Sequence, residues 1–191
     1  MRILIILTYY RPHTSGLTIY AERLARAFAR RGHVVTVMTS QYDKSLPLDE
    51  TVEGVRVVRV PVLFRVSKGV IMPSFGLKAN RLVSEHDVIQ LHLPQFDAAG
   101  VALRGRLLKK PTVITYHCDL RMPPGVLSWA ANQAVLFMNE LAARFTHRIV
   151  TYTHDYAEHS PYLRRYLHKL KVIPPPVELP EVTPQAIQEF R

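Results

Sequence analysis

The sequence predicts an α/β fold, a Rossmann-like open parallel sheet with helices on both faces. Three consecutive segments carry this prediction. The run Ile3–Leu7 is continuously apolar, which is typical of a parallel strand covered on both faces. Apolar side chains then recur at helical spacing from Leu17 to Phe28, Gly32 ends the helix, and Val34–Met38 begins the next strand. Such a βαβ unit is right-handed and binds ligands at the carboxyl ends of its strands.

The rest of the chain continues the alternation of strands and helices. We predict strands at Arg2–Thr8, Val34–Thr39, Val55–Pro61, Asp87–His92, Thr112–Tyr116, Arg148–Tyr152 and Lys171–Ile173. We predict helices at Leu17–Arg31, Phe75–His86, Asp97–Lys109, Gly125–Phe145 and His154–Tyr166. We expect a polar surface loop at Gln41–Gly54 and a mobile loop at Phe64–Ser74. The helix from Gly125 is apolar on most faces, so we expect it to be buried, with Trp129 and Phe137 as core or helix-packing residues.

Length and composition favour one intracellular domain. The chain has 191 residues, of which 48% are hydrophobic, enough for a core of its own. The single cysteine, Cys118, excludes an intrachain disulfide framework and suits a reducing cytoplasm. The first apolar run breaks at Thr8, too early for a signal peptide, and no stretch is long enough to span a membrane.

Four segments carry a resemblance to a known family. In chain order they read "RPHTSGLTIYAERLARAFARRGHVVTVMTS", "HDVIQLHLP", "KPTVITYHCD" and "KVIPPPVE". They resemble the retaining, nucleotide-sugar-dependent glycosyltransferases of family 4, which have the GT-B fold. The resemblance covers nearly the whole chain in the right order.

This resemblance implies a domain organisation and a reaction. Residues 1–174 would be the N-terminal, acceptor-side domain, and residues 175–191 an interdomain linker with the start of a second domain that binds the nucleotide-sugar. A UDP- or GDP-sugar would be the donor substrate, with no further cofactor, and the acceptor would be a lipid, a polysaccharide or a small molecule. Transfer would proceed with retention, and this half alone would be inactive.

The loop after the first strand is the candidate site for the donor's diphosphate. Ser15 and Gly16 stand directly before a helix, where free N–H groups and the helix dipole favour an anion. In the resembling family adjacent glycines approach the diphosphate here, whereas in this chain serine precedes a single glycine.

His117 and Asp119 are the candidate catalytic residues at the end of the fifth predicted strand. Strand alternation places both on one side and Cys118 on the other, so we expect the carboxylate to orient the imidazole. In resembling enzymes a histidine at this place contacts the donor sugar or diphosphate. His92 and His154 also lie near strand ends, and His13 lies in the first loop. No cysteine spacing or other supporting ligand pattern accompanies these imidazoles, so we expect no metal.

The net charge of +10 indicates an anionic partner. One basic cluster is interleaved with large apolar residues and contains no acid: Arg65, Lys68, Lys78 and Arg81. This composition suits an anionic membrane surface, at the inner face of a membrane, or a lipid-linked acceptor. A solvated face balanced by acids elsewhere is the other interpretation, and both stay open. The sequence carries no nucleic-acid-binding motif, so we expect no nucleic-acid partner.

Other classes of protein share parts of this pattern. An NAD(P)-dependent oxidoreductase is disfavoured, because G-x-G-x-x-G is absent and no acid directly ends the second strand. A non-catalytic basic α/β module that binds membranes or anions stays open, as does another GT-B enzyme such as a nucleotide-sugar epimerase.

Overall fold

The structure is a computed structural model that describes residues 1–66, 69–120 and 124–177. Its strands are β1 (Arg2–Ile6), β2 (Val34–Gln41), β3 (Asp49–Val52), β4 (Val55–Pro61), β5 (Phe64–Val66), β6 (Gly69–Ile71), β7 (Val88–Leu93), β8 (Thr112–Tyr116), β9 (Arg148–Thr151) and β10 (Leu170–Val172). Its helices are α1 (Gly16–Arg30), α2 (Phe75–Glu85), α3 (Ala98–Leu107), α4 (Val126–Phe145) and α5 (His154–His159). Two 3₁₀ turns follow α5, at Leu163–Arg165 and Leu167–Lys169.

Eight strands form one sheet, in the order β10-β9-β8-β7-β1-β2-β4-β3. Every neighbouring pair is parallel except β3 and β4, which are antiparallel. The chain builds outward from β1 to β2 and β4, then returns to β7 on the other side of β1. The strand order therefore reverses between β1 and β7, and ligands bind at such a switch point, outside the carboxyl ends of the strands.

The sheet is covered unequally on its two faces. On one face α1 packs through Ala21 and Ala25 against apolar side chains of β1, β2 and β4. On the other face α2, α3, α4 and α5 lie over the opposite side chains of the strands, in the larger of the two core clusters. The strands read as continuous apolar runs because each is buried on both sides. These observations confirm the predicted α/β class.

Two predicted loops contain strands. The segment predicted as a polar loop from Gln41 to Gly54 includes the last residue of β2 and all of β3. β3 is a short, charged edge strand whose pairing with β4 decides its conformation, so its sequence gives no apolar alternation. Likewise Phe64–Ser74 contains the antiparallel pair β5 and β6, and not only a loop.

Two helix predictions also need correction. The helix expected at His154–Tyr166 ends at His159, because Pro161 follows directly and cannot donate to a helical carbonyl. The long helix α4 is not buried: Trp129 is 64% exposed and Phe137 is 59% exposed, so neither belongs to the core. The domain boundary at 174 stays a prediction, and most of the predicted linker, residues 178–191, lies outside the described residues.

Candidate active site

Two histidines meet beside the switch point, at the carboxyl ends of neighbouring strands. His92 lies near the end of β7, and His117 directly follows β8. A backbone hydrogen bond from His117 N–H to Leu93 O keeps the two strand ends in register. His92 Nδ1 and His117 Nε2 are 2.8 Å apart, a hydrogen-bonded pair. The hydroxyl of Tyr152, just after β9, bonds the other nitrogen of His117. The three side chains form one continuous chain of polar groups.

Burial favours the neutral form of both imidazoles. Burial lowers the pKa of His117 to about 4, and burial together with the neighbouring His117 lowers the pKa of His92 well below its usual value. In the His92–His117 contact, one of the two nitrogens carries the proton and the other offers its lone pair. His92 Nε2 is fully buried and has no hydrogen-bond partner among the described residues. The pair therefore holds one unused polar atom, which is costly in a protein interior.

Helix α1 covers the histidine pair from the side. The side chains of His92 and His117 alternate with Leu91, Leu93, Ile114 and Tyr116, which belong to the core under α2–α4. The two imidazoles therefore project toward the face of α1. There the ring of Tyr20 contacts both, at centroid distances of 5.8 Å and 5.2 Å, and its hydroxyl bonds Thr115. We call the region outside these strand ends, beside α1, the crevice, because a sheet with this strand order binds ligands there. The histidine pair and the Tyr20 ring lie at this place.

The first turn of α1 is the second part of the crevice. Ser15 caps the helix: its hydroxyl accepts a bond from Thr18 N–H at 3.2 Å and lies 2.9 Å from the Thr18 hydroxyl. Gly16 is exposed, and a Cβ at that position would meet no atom within 4 Å. Open space therefore adjoins the helix N-terminus, as an anion approaching its amides requires. Diphosphate binding by Ser15 and Gly16 stays a prediction.

Asp119 does not orient His117, and this expectation was wrong. Its carboxylate accepts hydrogen bonds from Tyr116 at 2.9 Å, Tyr156 at 3.0 Å and Ser160 at 2.8 Å. Its own N–H donates to the Tyr156 hydroxyl at 2.9 Å. The strand ends before His117, so the alternation assumed for an extended chain does not continue to Asp119. The carboxylate joins the end of β8 to α5. A catalytic role for Asp119 stays a prediction.

His13 and His154 do not join the histidine pair. His13 stacks on Tyr9 with ring centroids 4.9 Å apart, and its Nδ1 lies 3.4 Å from the Thr18 hydroxyl. His154 begins α5 with an exposed side chain 3.9 Å from Glu158. Among residues 1–66, 69–120 and 124–177, no group of three or more histidine, cysteine or acidic side chains could hold a metal ion.

A buried arginine near the crevice was missed by the sequence analysis. Arg59 of β4 is 1% exposed and pairs with Glu50 of β3 at 2.6 Å. It also donates to the carbonyls of Pro47 at 2.9 Å and Arg11 at 3.1 Å. Its hydrogen bonds therefore connect the loop after β1 with the segment before the edge strand β3. A cavity of about 450 Å³ lies beside it, between α1 and β3. Nothing in a VRVVRVP strand marks one arginine as buried and the other as exposed.

The predicted basic cluster is only partly free to bind. Arg65 donates to the Tyr42 carbonyl, Lys78 to the Arg59 carbonyl at 3.0 Å, and Arg81 pairs with Glu85 at 2.8 Å. Lys68 lies outside the described residues. In the described part of the chain, no helix combines the length and apolar character needed to cross a membrane.

The fold and the crevice at its switch point define one Rossmann-like half of the GT-B type. The profile of Glycosyltransferase Family 4 matches residues 14–180, and the chain belongs to this family. No curated protein sequence matches the chain at a significant level.

Solved structures support the same fold. The Anabaena protein HepE, solved in complex with UDP, is 16% identical with a TM-score of 0.63, over 100% of this chain and 49% of that one. Sucrose-phosphate synthase from Thermosynechococcus elongatus is 18% identical with a TM-score of 0.57, over 91% and 47%. UDP-GlcNAc 2-epimerase from Methanocaldococcus jannaschii is 15% identical with a TM-score of 0.54, over 90% and 45%. The chain thus spans about half the length of these proteins, and at such identities the likeness shows the fold alone.

Proposed function

We propose that this chain is the acceptor-side half of a retaining glycosyltransferase that uses a nucleotide-sugar donor. Membership of Glycosyltransferase Family 4 supports the transfer of a sugar. The observation that carries the site is the His92–His117 pair at 2.8 Å, which lies outside the switch point and contacts Tyr20 of α1. HepE, which shares the fold, binds UDP, and this supports a nucleoside diphosphate as the leaving group.

The crevice offers two kinds of contact to such a donor. The first-turn amides of α1 bind the diphosphate, whose charge the helix dipole favours. His117 contributes a neutral imidazole, because its pKa of about 4 keeps it uncharged near pH 7. An oxygen of the nucleotide-sugar takes the place of the Tyr152 hydroxyl at His117 Nδ1. His92 stays hydrogen-bonded to His117 Nε2 and so fixes the orientation of the ring. A neutral imidazole that donates a hydrogen bond in this way stabilises the negative charge that develops on the leaving nucleoside diphosphate.

A second domain completes the enzyme. Transfer in a two-domain cleft requires donor and acceptor to be aligned and water to be excluded, and this chain supplies one wall. We therefore expect residues 1–191 to bind UDP- or GDP-sugars only at about millimolar strength, near −4 kcal/mol, and to show no turnover. Calorimetry and an assay for released nucleoside diphosphate measure both. Micromolar binding or turnover by this chain contradicts the half-enzyme proposal.

The decisive variant is His117→Ala in a protein that contains this domain together with its second half. We expect turnover to fall on the order of a hundredfold, because one preorganised contact to the leaving group is lost. His154→Ala is the matched control, since His154 lies at the same edge of the sheet with an exposed side chain. A cooperative thermal transition should show that both variants are folded at the assay temperature. Turnover of His117→Ala near that of the parent would assign His117 to structure and not to catalysis.

An epimerase remains the second candidate on the fold it shares with the Methanocaldococcus enzyme. The products distinguish the two. A transferase releases nucleoside diphosphate only when an acceptor is present, whereas a change of the donor sugar's configuration without acceptor indicates an epimerase.

A further inference from the structure

Six large apolar side chains are exposed at the carboxyl edge of the sheet. They come from the β5–β6 pair, from the first turns of α2 and α4, and from the segment before α3. We call them the apolar rim: Leu63, Phe64, Ile71, Leu77, Phe96 and Trp129. Leu77 is 80% exposed and Trp129 is 64% exposed, although each lies in the first turn of a helix that contributes residues to the core. Exposed apolar groups collected at one edge mark a surface that something covers.

The topology explains why these residues share one edge. Helices α2, α3 and α4 each return antiparallel to the strand that follows, so all three begin at the carboxyl ends of the strands. α2 packs on α3, and α3 packs on α4. The first turns of α2 and α3 therefore lie side by side, whereas α4, which has 20 residues against their 11 and 10, begins further out from the same edge. The β5–β6 pair comes directly before α2, and its Leu63 N–H bonds Ile71 O at 2.8 Å, which brings those two rim residues together.

The apolar rim and the crevice lie on opposite sides of the sheet edge. The crevice faces α1, where Tyr20 contacts His92 and His117. The rim belongs to the helices of the other face. A nucleotide bound at the histidine pair would therefore not cover the apolar rim, so the exposure of the rim needs another explanation.

The charges around the rim are basic. No aspartate or glutamate occurs between Gly54 and Ser84, a segment that contributes four of the six rim residues. Arg65 and Lys78 lie within it, and Arg104 of α3 reaches to Gly76 of α2. Glu53 and Glu85 flank this segment, and Asp97 directly follows Phe96. Asp97 is partly buried, and burial raises its pKa to about 6. Charge complementarity therefore favours an anionic partner that also accepts apolar side chains.

We propose that the apolar rim docks the protein on an anionic lipid bilayer, with the rim side chains in the headgroup boundary and the nearby cations on acidic headgroups. Tryptophan and phenylalanine suit this boundary because their rings are amphipathic or apolar and the region is partly hydrated. Each nearby lysine or arginine adds attraction to the negative surface potential. The docking does not depend on sugar transfer, so its failure and the failure of the proposed function are separate results.

Trp129 makes the proposal directly measurable, because it is the sole tryptophan of the chain. Vesicles of phosphatidylcholine with and without phosphatidylglycerol are added to residues 1–191. We expect a blue shift of the emission and co-sedimentation with the anionic vesicles, both weakened as salt rises. Equal binding to neutral and anionic vesicles, or no shift with either, overturns the proposal. A shift that follows protein concentration without vesicles indicates self-association and also overturns it.

A matched pair of variants locates the surface. Phe64→Ser with Leu77→Ser removes two rim side chains, and we expect the bound fraction at limiting lipid to fall about tenfold. Leu107→Ser with Leu108→Ser is the control, since these leucines are 71% and 41% exposed at the opposite end of α3. Circular dichroism confirms that both fold. Equal losses in the two variants contradict a docking surface at the rim.

Discussion

The two faces of the sheet differ at its carboxyl edge: one buries polar groups there, and the other exposes apolar groups. On the side of α1, polar groups such as His92 are buried and joined by hydrogen bonds, and the Nε2 of His92 has no partner in the described part of the chain. On the side of α2–α4, apolar groups such as Leu77 are exposed. Both arrangements cost free energy in the isolated domain: an unpaired buried nitrogen loses its solvation, and an exposed leucine orders water.

This difference separates two kinds of partner. A buried, neutral, hydrogen-bonding crevice suits a small polar ligand that can reach the unsatisfied groups. An exposed rim of large apolar residues among cations suits an extended amphiphilic surface. If both proposals hold, one edge of the domain contacts a soluble donor and a bilayer without competition between the two.

The largest expected effect compares two neighbours in α2. Phe75 is 6% exposed and packs in the core, whereas Leu77, two residues later, belongs to the rim. Phe75→Ala should lower the free energy of unfolding by about 3–5 kcal/mol, because it leaves a cavity. Leu77→Ala should change it by less than about 0.5 kcal/mol. Urea denaturation of both variants measures the difference, and a large loss at Leu77 would mean that the rim supports the fold.

Removing the Asp119 carboxylate tests the framework next to the crevice. Asp119→Ala leaves the hydroxyls of Tyr116, Tyr156 and Ser160 without their acceptor, so we expect a loss of about 3 kcal/mol in unfolding free energy. Asp155→Ala is the control, because that side chain is exposed and its carboxylate pairs with His159 of the same helix. A variant as stable as the parent would mean that water replaces the carboxylate easily.

The smallest expected effect is a pH dependence from the histidine pair. In the unfolded chain His117 titrates near 6.5, and in the folded chain near 4, so the unfolded state binds more protons between these values. Stability should therefore fall as the pH drops from 7 to 5, by on the order of 2 kcal/mol from this group. His117→Gln should make the dependence shallower. His86, whose pKa burial also lowers, is present in both proteins and cancels in the difference.

The sequence predicts most of the fold, since its main signal is local. Continuous apolar runs place β1, β7 and β8 within about two residues, and the helical spacing after Ser15 places α1. The sequence analysis did not predict β3, because Asp49 and Glu50 lie in an edge strand whose pairing is decided by its partner β4 and not by its own sequence pattern. The exposure of α4 was not predicted, because an apolar helix face in the sequence does not show whether another element covers it.

The candidate site was predicted in composition but not in its contacts. Strand ends identified His92 and His117 separately, because the carboxyl ends of parallel strands converge. Their mutual hydrogen bond depends on the register of β7 with β8, which sequence spacing does not give. The role of Asp119 depends on where the chain leaves the strand, and the burial of Arg59 depends on β3, which was not predicted.

Arg59 also has a consequence for motion. One guanidinium holds the carbonyls of Arg11, in the loop beside the switch point, and of Pro47, in the segment before β3. Edge strands open locally more readily than central ones. Fraying of β3 would therefore loosen the loop that leads into α1, and a ligand that orders this loop would slow hydrogen exchange at the amides of β3, on the far edge of the sheet.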